Sequence, residues 1–195
     1  MSASPPRSPM TVEEYFALDE SSSEIRYEYI DGYVTMLAGG TLDHSLIGAN
    51  IITTLRNALR GTPCRVFTTD ARIELSSKRY VYPDVSVSCD ERDRGRIKNL
   101  TAPRLVIEVL SPNTERYDRG RKFAFYRDCP TIQEYVLIEP DYPSVEIYRR
   151  ERGRLWVLHT FGEGDEIELV SVGIHFPISA IYEDVIFPPD EDEPA

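Results

Sequence analysis

The sequence predicts a mixed α/β or α+β domain, a β-sheet flanked by helices, from three observations. Strand-like segments outnumber the two main helices, one long stretch repeats its apolar residues at helical spacing, and three further strand-like runs follow one another as a meander near the C-terminal end. A chain of 195 residues and 22.3 kDa supplies material for one core rather than two. Hydrophobic residues make up 41% and charged residues 28%, the balance of a globular protein, which sets aside collagen-like and fully disordered chains. No apolar run approaches the roughly 20 residues of a spanning helix, so no membrane partner is expected.

The elements follow in order. Thr11 with Glu14 three residues on forms a capping box that opens a short helix to about Leu18. Tyr27–Ile30 and Tyr33–Leu37 flank Asp31-Gly32, the turn chemistry of a two-residue hairpin. From Leu42 to Arg60 the residues Leu42, Leu46, Ile47, Ile51, Leu55 and Leu59 recur at helical spacing until Gly61 stops them. Arg65–Thr69, Ala71–Leu75, Val81–Ser88 and Leu105–Leu110 read as strands, with the charged segment Asp90–Lys98 as a loop. Thr114 caps a second long helix to about Arg127. Glu134–Glu139, Val145–Arg150 and Leu155–Thr160, separated by turn residues, form the meander. Residues 1–9 and 188–195 read as loose, disordered ends, the latter acidic, around one domain over 10–187.

Charge and cysteine usage narrow the function classes. With 22 basic and 33 acidic residues the formal charge is −11, which argues against a protein that coats nucleic acid nonspecifically; a polyanion would have to meet a local basic patch. Cys64, Cys89 and Cys129 are odd in number and lack the spacing of zinc or redox pairs, so they read as free thiols. The leader lacks the apolar centre of a secretory signal, and a cytoplasmic location is the expectation.

Polar groups that interrupt the core pattern mark the candidate site. Glu108 sits in the middle of Leu105-Val106-Ile107-Glu108-Val109-Leu110, the most apolar strand, where an unpaired charge costs several kcal/mol. A structural ion pair with an arginine, or an edge strand facing water, would account for it alone. Alternation in Val81–Ser88 puts Asp84 on the polar face, where a turn-like aspartate after a proline is the plain alternative. Two carboxylates converging from neighbouring strands repel unless a proton or cation lies between them, and hard oxygen donors suit Mg²⁺ or Mn²⁺. Asp118, Lys122 and Tyr126 share one helix side, as a solvated face with a simple Asp–Lys pair also would. Glu28 interrupts an aromatic strand, and His44 lies in the first turn of the long helix, where a histidine is more often structural than catalytic.

The ordered set Met10-Thr11-Val12-Glu13-Glu14-Tyr15, Tyr27-Glu28-Tyr29-Ile30-Asp31-Gly32, His44, Pro83-Asp84-Val85, Val106-Ile107-Glu108-Val109-Leu110-Ser111-Pro112 and Tyr117-Asp118-Arg119-Gly120-Arg121-Lys122, followed by Tyr126, resembles the Uma-type restriction endonucleases. These are a branch of the PD-(D/E)xK nuclease superfamily, and the resemblance runs from about Met10 to Ile186. It implies a restriction-endonuclease-like fold and an Mg²⁺- or Mn²⁺-dependent endonuclease that hydrolyses phosphodiester bonds of DNA. Asp84 and Glu108 would ligate the cation, with the Val109 carbonyl as a further ligand. The superfamily's usual Glu-x-Lys would place lysine at position 110, where this chain has Leu110; in the Uma-type branch it is displaced to the following helix, which implies Lys122. Glu28 would be an accessory metal or water ligand, and His44 a phosphate donor or proton shuttle.

Arg92, Arg94, Arg96 and Lys98 in the loop, and Arg116, Arg119 and Arg121 with Tyr126 on the helix, are the expected substrate contacts, although charged loops also simply solubilise a surface. Cutting both strands of a duplex by a small body points to a homodimer. The rivals are a catalytically inactive nuclease-fold module that binds DNA or protein, and a metal-free hydrolase with two carboxylates, such as a glycosidase.

Overall fold

In the computed structural model, which describes residues 9–21, 25–37, 39–95 and 98–188, two mixed sheets and their helices pack around shared apolar layers. Chain order is α1 (Val12–Ser21), β1 (Tyr27–Ile30), β2 (Tyr33–Met36), α2 (Leu42–Ala58), β3 (Arg65–Thr68), β4 (Arg72–Ser76), β5 (Arg79–Val81), β6 (Val85–Ser88), β7 (Asn99–Leu100) and β8 (Leu105–Val109). A helix over 115–128 follows, then β9 (Glu134–Ile138), β10 (Ser144–Arg150), β11 (Trp156–Gly162), β12 (Glu166–Leu169) and β13 (Ile174–Pro177). The five-stranded sheet has the order β2-β1-β5-β4-β7, and the six-stranded sheet β11-β10-β9-β8-β6-β3. β12 and β13 pair with each other, a hairpin the periodicity did not predict.

Local chemistry explains the ends of the early elements. The Thr11 amide donates to Glu14 Oε2 at 2.7 Å and the Glu14 amide to Thr11 Oγ1 at 3.2 Å, the reciprocal box that starts α1. Asp31 (φ 50°) and Gly32 (φ 98°) both take the left-handed conformation that lets a two-residue turn follow the strand twist. Thr41 Oγ1 accepts from the His44 amide at 3.1 Å and starts α2.

One face of the six-stranded sheet is covered by α2 and the C-terminal hairpin, with Ile47, Ile51 and Leu55 against Val85, Val87, Leu105 and Ile107. Each such side chain contributes up to about 1.5–3 kcal/mol by leaving water. The other face, with Val106, Leu110, Tyr135 and Leu137, meets the helix over 115–128 and residues Ile30, Ile73 and Val81 of the five-stranded sheet. β3 is an edge of the larger sheet, and α2 runs beside it.

Three expectations need correction. Val81–Ser88 is not one strand: β5 belongs to the smaller sheet and β6 to the larger, and the chain crosses between them at Tyr82-Pro83-Asp84. Pro83 has no amide for a ladder, and the Tyr82 amide donates to Glu28 instead, at 3.2 Å. The cysteines are not all free: Cys64 and Cys89 form a disulfide with Cα atoms 3.9 Å apart, while Cys129 is a free, buried thiol. The β3–β6 ladder places Arg65 opposite Ser88, hence Cys64 opposite Cys89 one step beyond. Third, the Asp90–Lys98 loop contains a short helical turn over Glu91–Asp93 and leads directly into β7, which pairs in parallel with β4.

The loose ends expected at 1–9 and 188–195 lie, apart from Pro9 and Pro188, outside the described residues, as does Arg96. No described helix is long and apolar enough to cross a membrane.

Candidate active site at the junction of the two sheets

The site forms where the chain passes from one sheet to the other. Val85 lies opposite Ile107, so Asp84 falls opposite Glu108 one step on, and directly opposed residues of antiparallel strands share a face. Asp84 Oδ2 accepts from the Val109 amide at 2.8 Å, which ties the crossing segment to the end of β8. Glu28 arrives on β1 of the other sheet, and Lys122 descends from the helix.

That helix is built to deliver lysine. α3 (Glu115–Tyr117) runs into a π-helical turn over Asp118–Lys122 and then α4 (Phe123–Asp128). The Phe123 amide donates to the Asp118 carbonyl five residues back, so the turn holds one extra residue. Gly120 within it weakens the ordinary helical preference by about 1 kcal/mol. Asp118, Lys122 and Tyr126 are all buried, rather than forming a solvated face. Leu110, where the superfamily lysine would stand, is packed in the core, and Lys122 Nζ reaches Glu108 Oε1 at 2.8 Å from the helix instead.

Lys122 is 5% exposed and gathers three acids: Glu108, Glu28 at 3.1 Å and Asp118 at 3.7 Å. The Tyr126 hydroxyl also donates to Glu108 Oε1, at 2.8 Å. Asp118 Oδ1 is buried without a hydrogen-bond partner among the described residues. On the open side, His44 Nε2 lies 3.1 Å from the Val109 carbonyl and 3.4 Å from Asp84 Oδ2. A carbonyl only accepts, so Nε2 carries the proton. These two side chains are about one-fifth exposed, at 21% for His44 and 23% for Asp84, and line a cleft of about 510 Å³ with Gly40, Ser45, Gly48 and Thr68. Gly40 is needed there, because a Cβ would sit 2.7 Å from the His44 ring.

Electrostatics separate the members of this group. Burial pushes Glu108 up to about 8, Lys122 opposes it, and the Asp84 and Asp118 carboxylates add to the rise. Burial also raises Asp118. Burial works against the charge of Lys122, but Glu108 and Glu28 overcome it and hold its pKa well above the usual lysine value. The hydrogen bond that His44 donates to Asp84 raises the pKa of His44. Four carboxylates thus face one permanent cation, and the surplus is met by a proton unless another cation enters.

The donors available for such a cation are oxygens. Asp84 Oδ1 and Glu108 Oε2 have no hydrogen-bond partner among the described residues, since the bonds of these two groups fall on Oδ2 and Oε1. No group of three or more His, Cys, Asp or Glu side chains forms a ready cage among the described residues. Two carboxylates, a carbonyl and water make a set of the kind Mg²⁺ accepts.

The expected substrate contacts are mostly not brought together with this cluster. Arg92 and Arg94 follow the end of β6 away from Asp84 and pair with Asp90 and Glu91, and Lys98 pairs with Glu20. Arg119 is held by Glu115 and Glu146. Arg116 and Arg121 are exposed and form no ion pair among the described residues. Tyr126, expected to touch substrate, is fully buried and holds Glu108. The sequence reading missed Asp118 as a member of the cluster, although its i, i+4 relation to Lys122 was the available signal.

A family model described as "Putative restriction endonuclease", Uma2, matches residues 12–179. The chain belongs to the Uma2 family. Two uncharacterized proteins of Synechocystis sp. are similar to this Uma2 chain. The protein slr1290 is 36% identical over 95% of this chain and 98% of its own length, and sll1609 is 34% identical over 82% and 92%. Among solved structures, a putative nuclease belonging to DUF820 from Anabaena variabilis superposes with a TM-score of 0.73, at 22% identity, covering 91% of this chain and 100% of that one. At that identity the likeness establishes a shared fold, which agrees with the mixed α+β architecture expected from the sequence.

Proposed function

We propose that this protein is an Mg²⁺- or Mn²⁺-dependent endonuclease that hydrolyses phosphodiester bonds in DNA. The observation that carries this reading is the surplus of carboxylates around Lys122, with one unpartnered oxygen on each of the opposed residues Asp84 and Glu108. A divalent cation held by those oxygens and the Val109 carbonyl supplies charge neutralisation at the phosphoryl group and a water activated near neutral pH.

The chain's own residues do the rest. Lys122, fixed by Glu28 and Asp118, holds Glu108 in position and sets a positive charge beside the reacting phosphate. Tyr126 takes the second bond to Glu108 Oε1, which leaves Oε2 for a cation. His44, bridging Asp84 and Val109, is a positioning residue for both oxygen donors. A homodimer would present two such sites to the two strands of a duplex.

The test is cleavage of supercoiled plasmid by full-length protein with Mg²⁺ or Mn²⁺. Asp84→Asn and Glu108→Gln each reduce the rate by at least about a hundredfold, as expected when a group acting on transition-state charge is lost. Chelation by EDTA stops the reaction. Undiminished cleavage by the purified double variant, or cleavage that persists in EDTA, would overturn the proposal.

A further inference from the structure

The paired arginines of the Asp90–Lys98 loop leave open what would hold a polyanion on a chain of charge −11. The answer lies in one acid-free stretch. Between Asp43 and Asp70 there is no Asp or Glu, while Arg56, Arg60 and Arg65 fall within it. None of the three arginines forms an ion pair among the described residues, and all three are exposed. Arg65 Nη1 donates to the Pro63 carbonyl at 3.1 Å, a bond that leaves its charge uncompensated.

These residues converge. Arg56, Arg60 and Arg65 line a cavity of about 450 Å³ between the C-terminal end of α2 and the start of β3. That cavity adjoins the cleft of His44 and Asp84: Ile52 and Thr68 line the cleft, and Arg56 and Phe67, one helical turn and one residue away, line the arginine cavity. Along α2 the residues His44, Gly48, Ile52 and Arg56 recur every four positions, a ridge that turns by about 40° per step beside the edge strand, and Arg60 lies just past the helix end. A seam therefore leads from the candidate catalytic cluster to three guanidinium groups without acidic partners. From His44 to Arg56 it runs about 18 Å at the helical rise, with Arg60 and Arg65 at its far end. Hydroxyls of Ser45, Thr68 and Thr69 border its catalytic half, the donor type that commonly meets phosphate oxygens. Added side-chain bulk is missing at Gly48, where a Cβ would meet open space.

We propose that the seam between α2 and β3 is the track of the DNA backbone, with Arg56, Arg60 and Arg65 binding phosphates remote from the scissile bond. This rests on the nuclease reading above and adds the path of its substrate. The track uses arginine because a planar guanidinium pairs with two phosphate oxygens at once. Because these interactions are the same in ground and transition states, they raise affinity without changing the chemical step.

The experiment measures binding of a fluorescein-labelled DNA duplex longer than the seam, by anisotropy over a range of salt, with Ca²⁺ in place of Mg²⁺. The R56A/R60A/R65A variant should flatten the slope of log affinity against log salt by about 0.9 for each phosphate no longer neutralised, up to about 2.7. In Mg²⁺ it should raise KM with kcat unchanged. The R56K/R60K/R65K variant, which keeps the charges, should retain most of the slope. Inorganic phosphate equimolar with the DNA phosphate should leave the complex intact.

An alanine triple variant with the parent slope and KM overturns the track while leaving the nuclease reading in place. So does a lysine triple variant that loses the slope equally, which ties the effect to folding, or displacement by inorganic phosphate, which marks a site for a single anion. Greater flattening by R92A/R94A places the DNA on the Asp90–Lys98 loop and likewise overturns the track. A parent protein that neither binds nor cuts the duplex with any divalent cation defeats both readings together.

Discussion

Two buried charged clusters sit side by side in this molecule, and they are built on opposite terms. In the first, Asp19 accepts from Arg72 at 2.8 Å, from the Tyr82 hydroxyl at 2.6 Å and from the Tyr27 amide at 3.2 Å. Arg72 also donates to Asn99 at 2.7 Å and lies over the Phe16 ring at 4.6 Å. One acid meets one base and every strong donor there has a partner. In the second, Lys122 alone serves Glu28, Glu108 and Asp118, Asp84 stands nearby, and Asp118 Oδ1 is left over. Tyr82 touches both clusters, through its hydroxyl to Asp19 and its amide to Glu28. A balanced buried pair ties α1 to the sheet; the unbalanced one is where the proposed cation would sit.

If that contrast is right, breaking the balanced cluster costs stability and nothing else. Arg72→Met leaves Asp19 buried without its cation and should lower unfolding free energy by about 3–5 kcal/mol in urea titration. Cleavage per folded molecule should be unchanged.

The unbalanced cluster should respond with the opposite sign. Above pH about 8, where Glu108 is ionised, Glu108→Gln removes one surplus charge, so the metal-free protein should there gain about 1 kcal/mol as it loses cleavage, because relief of buried like charges is stabilising. A large loss of stability would make Glu108 a structural partner of Lys122 like Asp19 of Arg72.

Acidity sharpens the same comparison. Burial and the neighbouring acids raise Glu108 in the folded state from 4.5 to about 8, so the folded form binds this proton more tightly than the unfolded chain does. Its contribution to stability is complete below about 4.5 and is lost as pH rises through about 8. Without added cation the melting temperature should fall across that window, and Mg²⁺ should restore it most at the alkaline end. Glu108→Gln should remove this part of the pH dependence.

Smaller effects test how the second cluster is held. Tyr126→Phe removes one of the two groups on Glu108 Oε1 and should weaken Mg²⁺ binding, read by calorimetry, by about 10–100-fold, the range for groups that orient metal ligands. Gly40→Ala pushes on the His44 ring and should slow cleavage by about tenfold with little change in melting temperature.

Much of this was legible in the chain alone. The Thr11–Glu14 box, the Asp31-Gly32 turn, the α2 periodicity and the meander are local signals, each written within a few neighbouring residues. So was the oddity of Glu108 in an apolar strand, since burial of a charge conflicts with its surroundings wherever the strand packs. The break at Pro83 was misread because period-two alternation continues through it, although the two halves join different sheets. The π-helical turn leaves no periodic trace over five residues, and the Cys64–Cys89 bond depends on the register of strands well separated in sequence.

Residue types and their order therefore determined the helices, the Asp31-Gly32 hairpin, the meander and which acids were out of place. Tertiary packing decided their company: that Asp84 opposes Glu108, that Lys122 reaches Glu108 from a helix, and that Arg92 and Arg94 are paired while Arg56, Arg60 and Arg65 form no ion pair among the described residues. The reason is physical. Propensity and capping act over a few residues of chain, whereas the balance of buried charge is set by groups that only folding brings within a few ångströms of one another.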